Sequence, residues 1–306
     1  MHQGISLHIT SGEGMETSDS SGKGLLLYEV DWNEVWKERM RLHRSSAGFA
    51  DSLHVWKDED NARRYDTLVQ RDYGKRIRDT LDGLNVNPDS KVLDIGSGPG
   101  TLAIPLAERA GEVTAVEPAL GMVKVLRERI AEEGIKNIRI VKKNWELVDT
   151  ERELQGPYDI VIASLSLNMI DLKEAVRKMT AVCSGTVNIY WFADMPFWER
   201  NYHEIWPEMH GSPYYPGPKV DCLFMVLCQM GIYPDVRMMP LDKEYRFSDP
   251  EEMFNHFRNR FGVTTDHQED VMRRHLLAKT RQEGKMYILS GDTIYAKLSW
   301  NASGEW

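Results

Sequence analysis

Long apolar runs and cysteine are both scarce in this chain of 306 residues. No apolar stretch approaches the roughly 18 residues of a membrane-spanning helix, and residues 1–8 carry neither the basic start nor the apolar segment of a secretion signal. Three cysteines are too few for a disulfide framework, so we expect Cys183, Cys222 and Cys228 to be free thiols. We therefore expect a cytoplasmic protein that does not associate with membranes.

Positive charge is also in short supply, and so are clusters of metal-binding side chains. The formal net charge of −9 argues against broad contact with a nucleic-acid backbone and leaves open only a local patch such as Arg273 and Arg274. His203 and His210 lie seven residues apart, but no neighbouring side chain completes a ligand set, so we expect no metal. Hydrophobic residues make up 42% and charged residues 28%, which is typical of a globular enzyme.

A glycine-rich loop follows the clearest strand signal in the chain. The apolar residues of segment 91–95 are typical of a strand buried on both faces, as in a parallel sheet, and residues 101–110 are predicted to form the next helix. Between them stand Gly96, Gly98 and Gly100. Because glycine tolerates positive φ and has no Cβ, such a loop lets a ligand lie against backbone N–H groups at a helix start.

An acidic residue ends the second predicted strand, at 113–116. This residue, Glu117, follows Asp94 by 23 positions, close to the roughly 20-residue offset at which an acid binds a ribose in a βαβ unit. The pattern predicts a nucleoside site. Thr101 stands where a dinucleotide-binding loop needs its third glycine, which argues against an NAD-dependent dehydrogenase.

Four segments resemble, in order and spacing, the motifs of the class I S-adenosylmethionine-dependent methyltransferases, in particular the type 11-like small-molecule enzymes. They are residues 94–100, 117–122, 141–145 and 158–164, and the resemblance extends over about residues 56–192. It implies a methyltransferase with S-adenosylmethionine as cofactor. The residues that it implies to bind this cofactor are Tyr65, Asp94, Gly96, Ser97, Gly98, Gly100, Glu117, Pro118, Met122, Asn144, Trp145 and Ser164.

Several of these residues have a specific expected partner on the cofactor. Glu117 would accept hydrogen bonds from both ribose hydroxyls, as a carboxylate can. Asp94 and the backbone of Ser164 would accept hydrogen bonds from the methionine amino group. Tyr65 belongs to an A-x-x-Y-D stretch, 62–66, that resembles the one many of these enzymes carry before their first strand, where the Tyr leans over the cofactor.

The adenine end of the cofactor has three expected neighbours. Asn144 stands where the family usually has Asp, so its carbonyl would accept from the adenine amino group without charge assistance. Trp145 would either cover the adenine or be buried under the sheet. Met122 suits one adenine face because a flexible thioether fills irregular gaps, but a place in the helix core is the alternative.

The alternation of strands and helices predicts an α/β fold. Right-handed crossovers give a parallel sheet with helices on both faces and a ligand crevice where the strand order reverses. The resemblance implies a Rossmann-like sheet of seven strands, mostly parallel, whose last strand is antiparallel. We also predict one helix over 58–82 and one strand over 236–247. The predicted regions are a disordered tail at 1–24, an N-terminal helical arm at 25–90, a cofactor-binding core at 91–192, an inserted cap at 193–240, and C-terminal strands and helices at 241–306 that complete the same sheet.

The cap region is rich in aromatic residues and prolines. Prolines favour a separately packed cap over a regular helix, because each removes a hydrogen-bond donor and restricts its neighbour. We expect the cap to enclose a small-molecule acceptor. The residues predicted to line that pocket are Asn168, Trp198, Tyr202, Tyr214 and Tyr215.

More than one function stays open at this point. The leading hypothesis is methyl transfer by in-line SN2 displacement, which depends mainly on positioning the acceptor. No catalytic residue is assigned, and whether the reaction uses a general base is left open. The same fold could use S-adenosylmethionine or a decarboxylated relative for aminopropyl transfer, or serve as a non-catalytic binding subunit. The acceptor, the accepting atom and the oligomeric state are not predicted.

Overall fold

The computed structural model describes residues 29–46, 52–72, 74–241 and 243–303. The chain divides into two units, Met1–Val30 and Asp31–Trp306, and every helix and strand named below belongs to the second. The predicted disordered tail at 1–24 lies outside the described residues. Within the ranges that the structure describes, no helix is long and apolar enough to cross a membrane.

Four helices precede the first strand: α1 (Trp32–Ser45), α2 (Ser52–Lys57), α3 (Glu59–Asp72) and α4 (Gly74–Asp82). Asp31 starts α1, because its carboxylate accepts the backbone N–H groups of Asn33 and Glu34, which have no partner inside the helix. The helix predicted over 58–82 corresponds to α3 and α4, and residue 73 between them lies outside the described residues.

Strands and helices alternate through the middle of the chain. The elements are β1 (Lys91–Ile95), α5 (Ala103–Ala107), β2 (Glu112–Val116), α6 (Leu120–Glu132), β3 (Ile138–Val141), β4 (Tyr158–Ser164), α7 (Leu172–Ala181) and β5 (Cys183–Phe192). A short 3-10 helix, Trp145–Leu147, follows β3. In β1 every residue after Lys91 is buried, as expected for a strand covered on both faces.

The C-terminal part contains α8 (Phe197–His210), α9 (Val220–Gln229), β6 (Asp235–Pro240), β7 (Lys243–Phe247), α10 (Pro250–Arg258), α11 (Asp266–Lys279), β8 (Arg281–Glu283), β9 (Met286–Gly291) and β10 (Ile294–Asn301). The main sheet has seven strands in the order β3-β2-β1-β4-β5-β10-β6. Strands β1 to β5 pair in parallel, whereas β10 runs antiparallel to both β5 and β6. The predicted seven-stranded sheet with an antiparallel last strand is confirmed. Its order reverses between β1 and β4, where α/β sheets bind ligands.

Helices cover both faces of the main sheet. One core draws on α1, α7 and α9, and the other on α4, α5 and α6. Trp36 of α1 is 0% exposed, and its indole N–H donates to the carbonyl of Met169 at 2.9 Å. Its ring centroid lies 6.3 Å from that of Trp191 on β5. Helix α1 is therefore packed against the sheet by a large buried side chain with a satisfied polar group.

The strand predicted over 236–247 is divided between two sheets. Strand β6 ends at Pro240, and β7 belongs to a separate three-stranded sheet of order β7-β9-β8. Between the two sheets, Leu241 and Thr293 exchange backbone hydrogen bonds of 2.7 and 3.1 Å. The chain thus passes from one sheet to the other as a two-stranded ribbon. Of the strands in the predicted C-terminal region 241–306, β10 joins the main sheet, whereas β7, β8 and β9 form the smaller one.

The region predicted as a cap, 193–240, contains two regular helices and a strand of the main sheet. The preference for a cap over a regular helix is wrong for α8 and α9. Pro196 precedes α8 at the N-cap, where a missing N–H costs nothing, and α8 accommodates Pro207 in its C-terminal half at the loss of one helical hydrogen bond. Prolines therefore did not exclude helices here.

The burial of Trp36 predicts a large effect on stability. Replacing Trp36 by Ala should lower the free energy of unfolding by about 3–5 kcal/mol, because it leaves a cavity and an unpaired buried carbonyl. Chemical denaturation measures this, and Leu42→Ala, at a 37% exposed position of the same helix, should change the value by less than about 0.5 kcal/mol. Equal effects of the two variants would contradict the packing of α1 described here.

Candidate functional site

The glycine loop after β1 has the conformation that its sequence requires. Gly96, Gly98 and Gly100 have φ values of 72°, 57° and 86°. A Cβ on Gly96 would lie 2.4 Å from the Cβ of Ser166, and one on Gly100 would lie 2.5 Å from a methyl carbon of Leu126. A Cβ on Gly98 would have no described atom within 4 Å. Packing therefore fills the space beside the outer two glycines and leaves space open beside Gly98.

The Glu117 carboxylate joins this loop to the end of β2. The side chain is 6% exposed. One of its oxygens accepts the backbone N–H of Gly98 at 2.9 Å, and the other accepts that of Ala119 at 2.8 Å. Burial raises the pKa of Glu117, and these two N–H groups oppose that rise. Each carboxylate oxygen still has a further lone pair for a hydroxyl donor.

Asp94 lies next to Glu117 and is more deeply buried, at 2% exposure. Burial, with a smaller contribution from the charge of Glu117, raises the pKa of Asp94 to about 7, although its bond from the backbone N–H of Ala103 opposes the rise. Three buried polar atoms here have no hydrogen-bond partner among the described residues: Asp94 Oδ2, Ser97 Oγ and Thr101 Oγ1. Since buried polar atoms are normally paired, this is a site equipped for a polar ligand.

Two residues that the sequence did not single out support the same edge of the sheet. Arg76 of α4 is buried, and its guanidinium donates to Ser164 Oγ at 3.1 Å. Ser166 Oγ donates to the carbonyl of Ile95 at 2.6 Å, which ties the turn after β4 to the end of β1. The sequence offers one weak indication that Arg76 is buried: it directly precedes Ile77, which belongs to the apolar stripe of the helix. Nothing local distinguishes Ser166.

Residues 92–185 match the protein family described as a methyltransferase domain. The fold around them agrees: a Bacillus halodurans C-125 structure described as a "putative methyltransferase" superposes with a TM-score of 0.52 at 16% identity, over 75% of this chain and 99% of that one. Residues 92–185 therefore match a methyltransferase domain, and they lie in a fold that this structure shares. The resemblance in the four sequence segments is thereby confirmed at the level of family and fold.

Curated relatives match part of this chain. An uncharacterized Haemophilus influenzae protein is 32% identical over 51% of this chain and 56% of its own length. The ribosomal protein L11 methyltransferase of Desulfitobacterium hafniense is 27% identical over 51% and 53%. The 23S rRNA (uracil(1939)-C(5))-methyltransferase RlmD of Klebsiella pneumoniae is 36% identical over 42% and 28%. The chain spans about half or less of these relatives.

The N-terminal helices cover the start of α6 in the methyltransferase domain. Tyr65 of α3 lies with its ring centroid 5.0 Å from that of Trp56 in α2, and both pack on a cluster that contains the buried Met122. A Cβ on Gly121 would lie 2.7 Å from the carbonyl oxygens of Trp56 and Asp58, so the chain between α2 and α3 lies against α6. The structure thus brings Tyr65 and Met122 together, with Met122 in an apolar core.

An ion pair adds a second connection between these helices. Arg129 of α6 pairs with Asp66 of α3 at 3.2 Å and also donates to the carbonyl of Pro99 in the glycine loop at 3.4 Å. Both charged side chains of the pair are largely buried, so solvent screens their attraction less than on the surface. Helices α3 and α6 and the glycine loop are therefore held as one unit.

Trp145 belongs to the core and does not cover an open site. It is 3% exposed, its indole N–H donates to the carbonyl of Ala175 at 3.1 Å, and the Lys178 ammonium lies 4.9 Å from the ring centroid. The structure therefore shows the buried alternative for the Trp145 side chain, and its contact with adenine stays a prediction. Asn144, which precedes Trp145, is partly buried, and its side chain makes no capping hydrogen bond to the short helix. Pro118 is partly buried in the turn before α6.

The residues predicted to contact the acceptor are spread over packed surfaces. Tyr202 and Tyr214 have ring centroids 5.9 Å apart, but Tyr214 is buried and donates to Glu199, and Tyr202 packs on the ring of Phe261. The other three are bonded or stacked elsewhere. The backbone N–H of Tyr215 donates to Ser46 Oγ, the Asn168 carbonyl accepts from Arg44, and the Trp198 ring centroid lies 5.4 Å from that of Phe192. Their contact with an acceptor stays a prediction.

Two substitutions in the glycine loop separate packing from backbone conformation. Gly98→Ala should cost about 1–2 kcal/mol of unfolding free energy, from positive φ alone. Gly100→Ala should cost a further 1–3 kcal/mol, roughly, because its methyl group would overlap Leu126. Thermal or chemical unfolding measures both. A Gly98→Ala variant that is the less stable of the two would contradict the open space beside Gly98.

The buried Asp94 predicts a pH-dependent stability. Its carboxyl stays protonated in the folded protein up to about pH 7, whereas the unfolded chain loses that proton near the ordinary value of 3.8. This contribution is therefore complete below about pH 4 and lost as the pH rises through 7. The free energy of unfolding should fall by roughly 1–3 kcal/mol between pH 5 and pH 8, and much less in Asp94→Asn. Asp89→Asn, at an exposed position, is the control and should show the same fall as the parent protein. An equal fall in Asp94→Asn would contradict the assignment of this pH dependence to the Asp94 carboxyl.

Proposed function

We propose that this chain is an S-adenosylmethionine-dependent methyltransferase that methylates a small-molecule acceptor. One observation carries the proposal: the buried Glu117 carboxylate bonds Gly98, beside which the loop leaves open space, and a second buried carboxylate, Asp94, lies next to Glu117. This place is the switch point of the sheet, and the domain belongs to a methyltransferase family.

The residues at this site fit the proposed cofactor. Glu117 has lone pairs left for the two ribose hydroxyls, and Asp94 Oδ2 is a buried acceptor that needs a donor such as an ammonium group. The Arg76 guanidinium, held by Ser164, supplies positive charge near these acids and suits a carboxylate end. A ligand with hydroxyl, ammonium and carboxylate groups would therefore find a complementary partner for each.

The chain's own residues would act by binding and orientation. Bound S-adenosylmethionine would supply a methyl group already attached to a good leaving group. The protein must then hold an acceptor lone pair in line with the bond that breaks and keep water out. Helices α2 and α3 pack on the start of α6, next to the turn whose Ala119 N–H is bonded by Glu117.

Charge supports a small molecule over a nucleic acid as the acceptor. The net charge is −9, and the arginines of the Arg273-Arg274 patch are paired with Glu251 and Glu208.

A second candidate is an RNA or protein acceptor, because the relatives include an rRNA methyltransferase and a ribosomal protein methyltransferase. Labelled methyl transfer to pools of small metabolites, to rRNA and to ribosomal proteins separates the candidates. Label in the metabolite pool alone supports our proposal, and label in rRNA or protein alone overturns it.

The alternatives to methyl transfer have their own test. Mass spectrometry of the small molecule released when the purified protein is denatured should detect S-adenosylmethionine or S-adenosylhomocysteine. Release of decarboxylated S-adenosylmethionine would instead favour aminopropyl transfer. Ligand release without transfer to any pool would favour a non-catalytic binding subunit.

Substitution of Glu117 tests the ribose contact by calorimetry with S-adenosylhomocysteine. Glu117→Ala should weaken binding about 10- to 1,000-fold, since loss of one or two charge-assisted bonds costs roughly 1.4–4 kcal/mol. Glu117→Gln keeps one acceptor oxygen for the glycine loop and should lose less. Glu112→Gln, at the opposite end of β2, is the matched control and should bind normally. Unchanged affinity in folded Glu117→Ala would remove the ribose assignment.

A further inference from the structure

A cavity lies away from the proposed cofactor site, between the C-terminal half of α4 and the outer strands β10 and β6. It has two adjoining lobes of about 300 and 240 Å³, which share Asp79, Gly83, Arg237 and Met239 in their walls. None of its lining residues belongs to the glycine loop or to the predicted cofactor-binding set. Its volume is at the lower end of small-molecule sites, which are roughly 300–1,000 Å³.

A buried hydroxyl group in this cavity has no partner. Tyr190 of β5 lines the smaller lobe and is 0% exposed, yet its phenolic oxygen makes no hydrogen bond to any described residue. Gly83 has no side chain, and a Cβ at this position would lie 3.6 Å from the Tyr190 phenolic oxygen. The space beside that oxygen therefore stays open. Buried tyrosine hydroxyls normally find a partner, so Tyr190 presents an unused donor to the cavity.

Two cations face the same cavity from neighbouring strands. Lys297 of β10 and Arg237 of β6 are direct register partners and both line the smaller lobe. The Lys297 ammonium donates to the carbonyl of Gly83 at 2.7 Å and has two further N–H groups. Burial lowers the pKa of Lys297, and the charge of Arg237 lowers it further. Among the described residues Arg237 forms no ion pair, so its charge is available.

The acidic residues around the cavity compensate only part of this positive charge. Asp79 pairs with Lys75 at 2.7 Å and Asp82 with Arg109 at 3.4 Å, which leaves neither as a full counterion for the two strand cations. Asp235 is the remaining carboxylate in the wall, two residues before Arg237. One carboxylate against two cations leaves a local excess of positive charge beside the Tyr190 hydroxyl.

We propose that this cavity is a second ligand site, which binds a small molecule through a carboxylate or phosphate group contacted by Arg237, Lys297 and the Tyr190 hydroxyl. A guanidinium, an ammonium and a neutral O–H form a donor set that matches an oxyanion. The arrangement is independent of methyl transfer, because it uses other residues on another part of the sheet.

Binding of two simple probes, inorganic phosphate and acetate, tests this site by ligand-detected NMR and thermal shift at constant ionic strength. At least one probe should bind saturably, with a dissociation constant below about 10 mM. Arg237→Gln should weaken that binding at least about tenfold, and Tyr190→Phe about three- to tenfold. Arg152→Gln, at an 87% exposed position in the loop between β3 and β4, is the matched control and should bind like the parent protein.

The pattern across probes and variants decides the outcome. Binding of phosphate alone, acetate alone or both supports the site and assigns its ligand class. No saturable binding of either probe overturns it, and so does an equal loss in Arg152→Gln, which would reveal nonspecific charge attraction. Arg237→Gln should bind S-adenosylhomocysteine normally, so failure of this site and failure of the proposed function are distinguishable.

Discussion

The Glu117 carboxylate is the contact on which the arrangement of the methyltransferase domain depends. Its two oxygens accept one N–H from the loop after β1 and one from the turn after β2, so a single side chain fixes both turns at the sheet's switch point. A buried carboxylate is costly without such donors, and a glycine loop with three positive φ values is flexible without such an acceptor. Each therefore stabilises the other.

Three parts of the chain that are distant in sequence surround this contact. The parallel strands supply Asp94 and Glu117, helix α4 supplies Arg76 beside Ser164, and helices α2 and α3 cover the start of α6. Burial raises the pKa of both carboxylates. Packing and electrostatics are thus linked, because a cationic or hydrogen-bond-donating ligand stabilises a buried carboxylate.

Local patterns predicted the core of the fold because they are set within a few residues. The apolar run before Gly96, the spacing of the three glycines and an acid at the end of the next strand each follow from short-range geometry. The orientation of Trp145 could not be predicted, since a tryptophan beside a binding loop can turn either way and α7 decided it. The crossing from β6 to β7 depends on pairing with residues about 50 positions later. Arg76 functions through its tertiary neighbours and has only a weak local signal.

A crystal structure of the protein with S-adenosylhomocysteine tests the central claim most directly. Our account predicts the ribose hydroxyls within hydrogen-bond distance of the Glu117 carboxylate and the ligand's amino group within reach of Asp94, with the ligand passing through the open space beside Gly98. The apolar cluster around Tyr65 and Met122 should stay packed. A complex in which the ligand binds elsewhere, or in which Glu117 contacts only Gly98 and Ala119, would contradict the account.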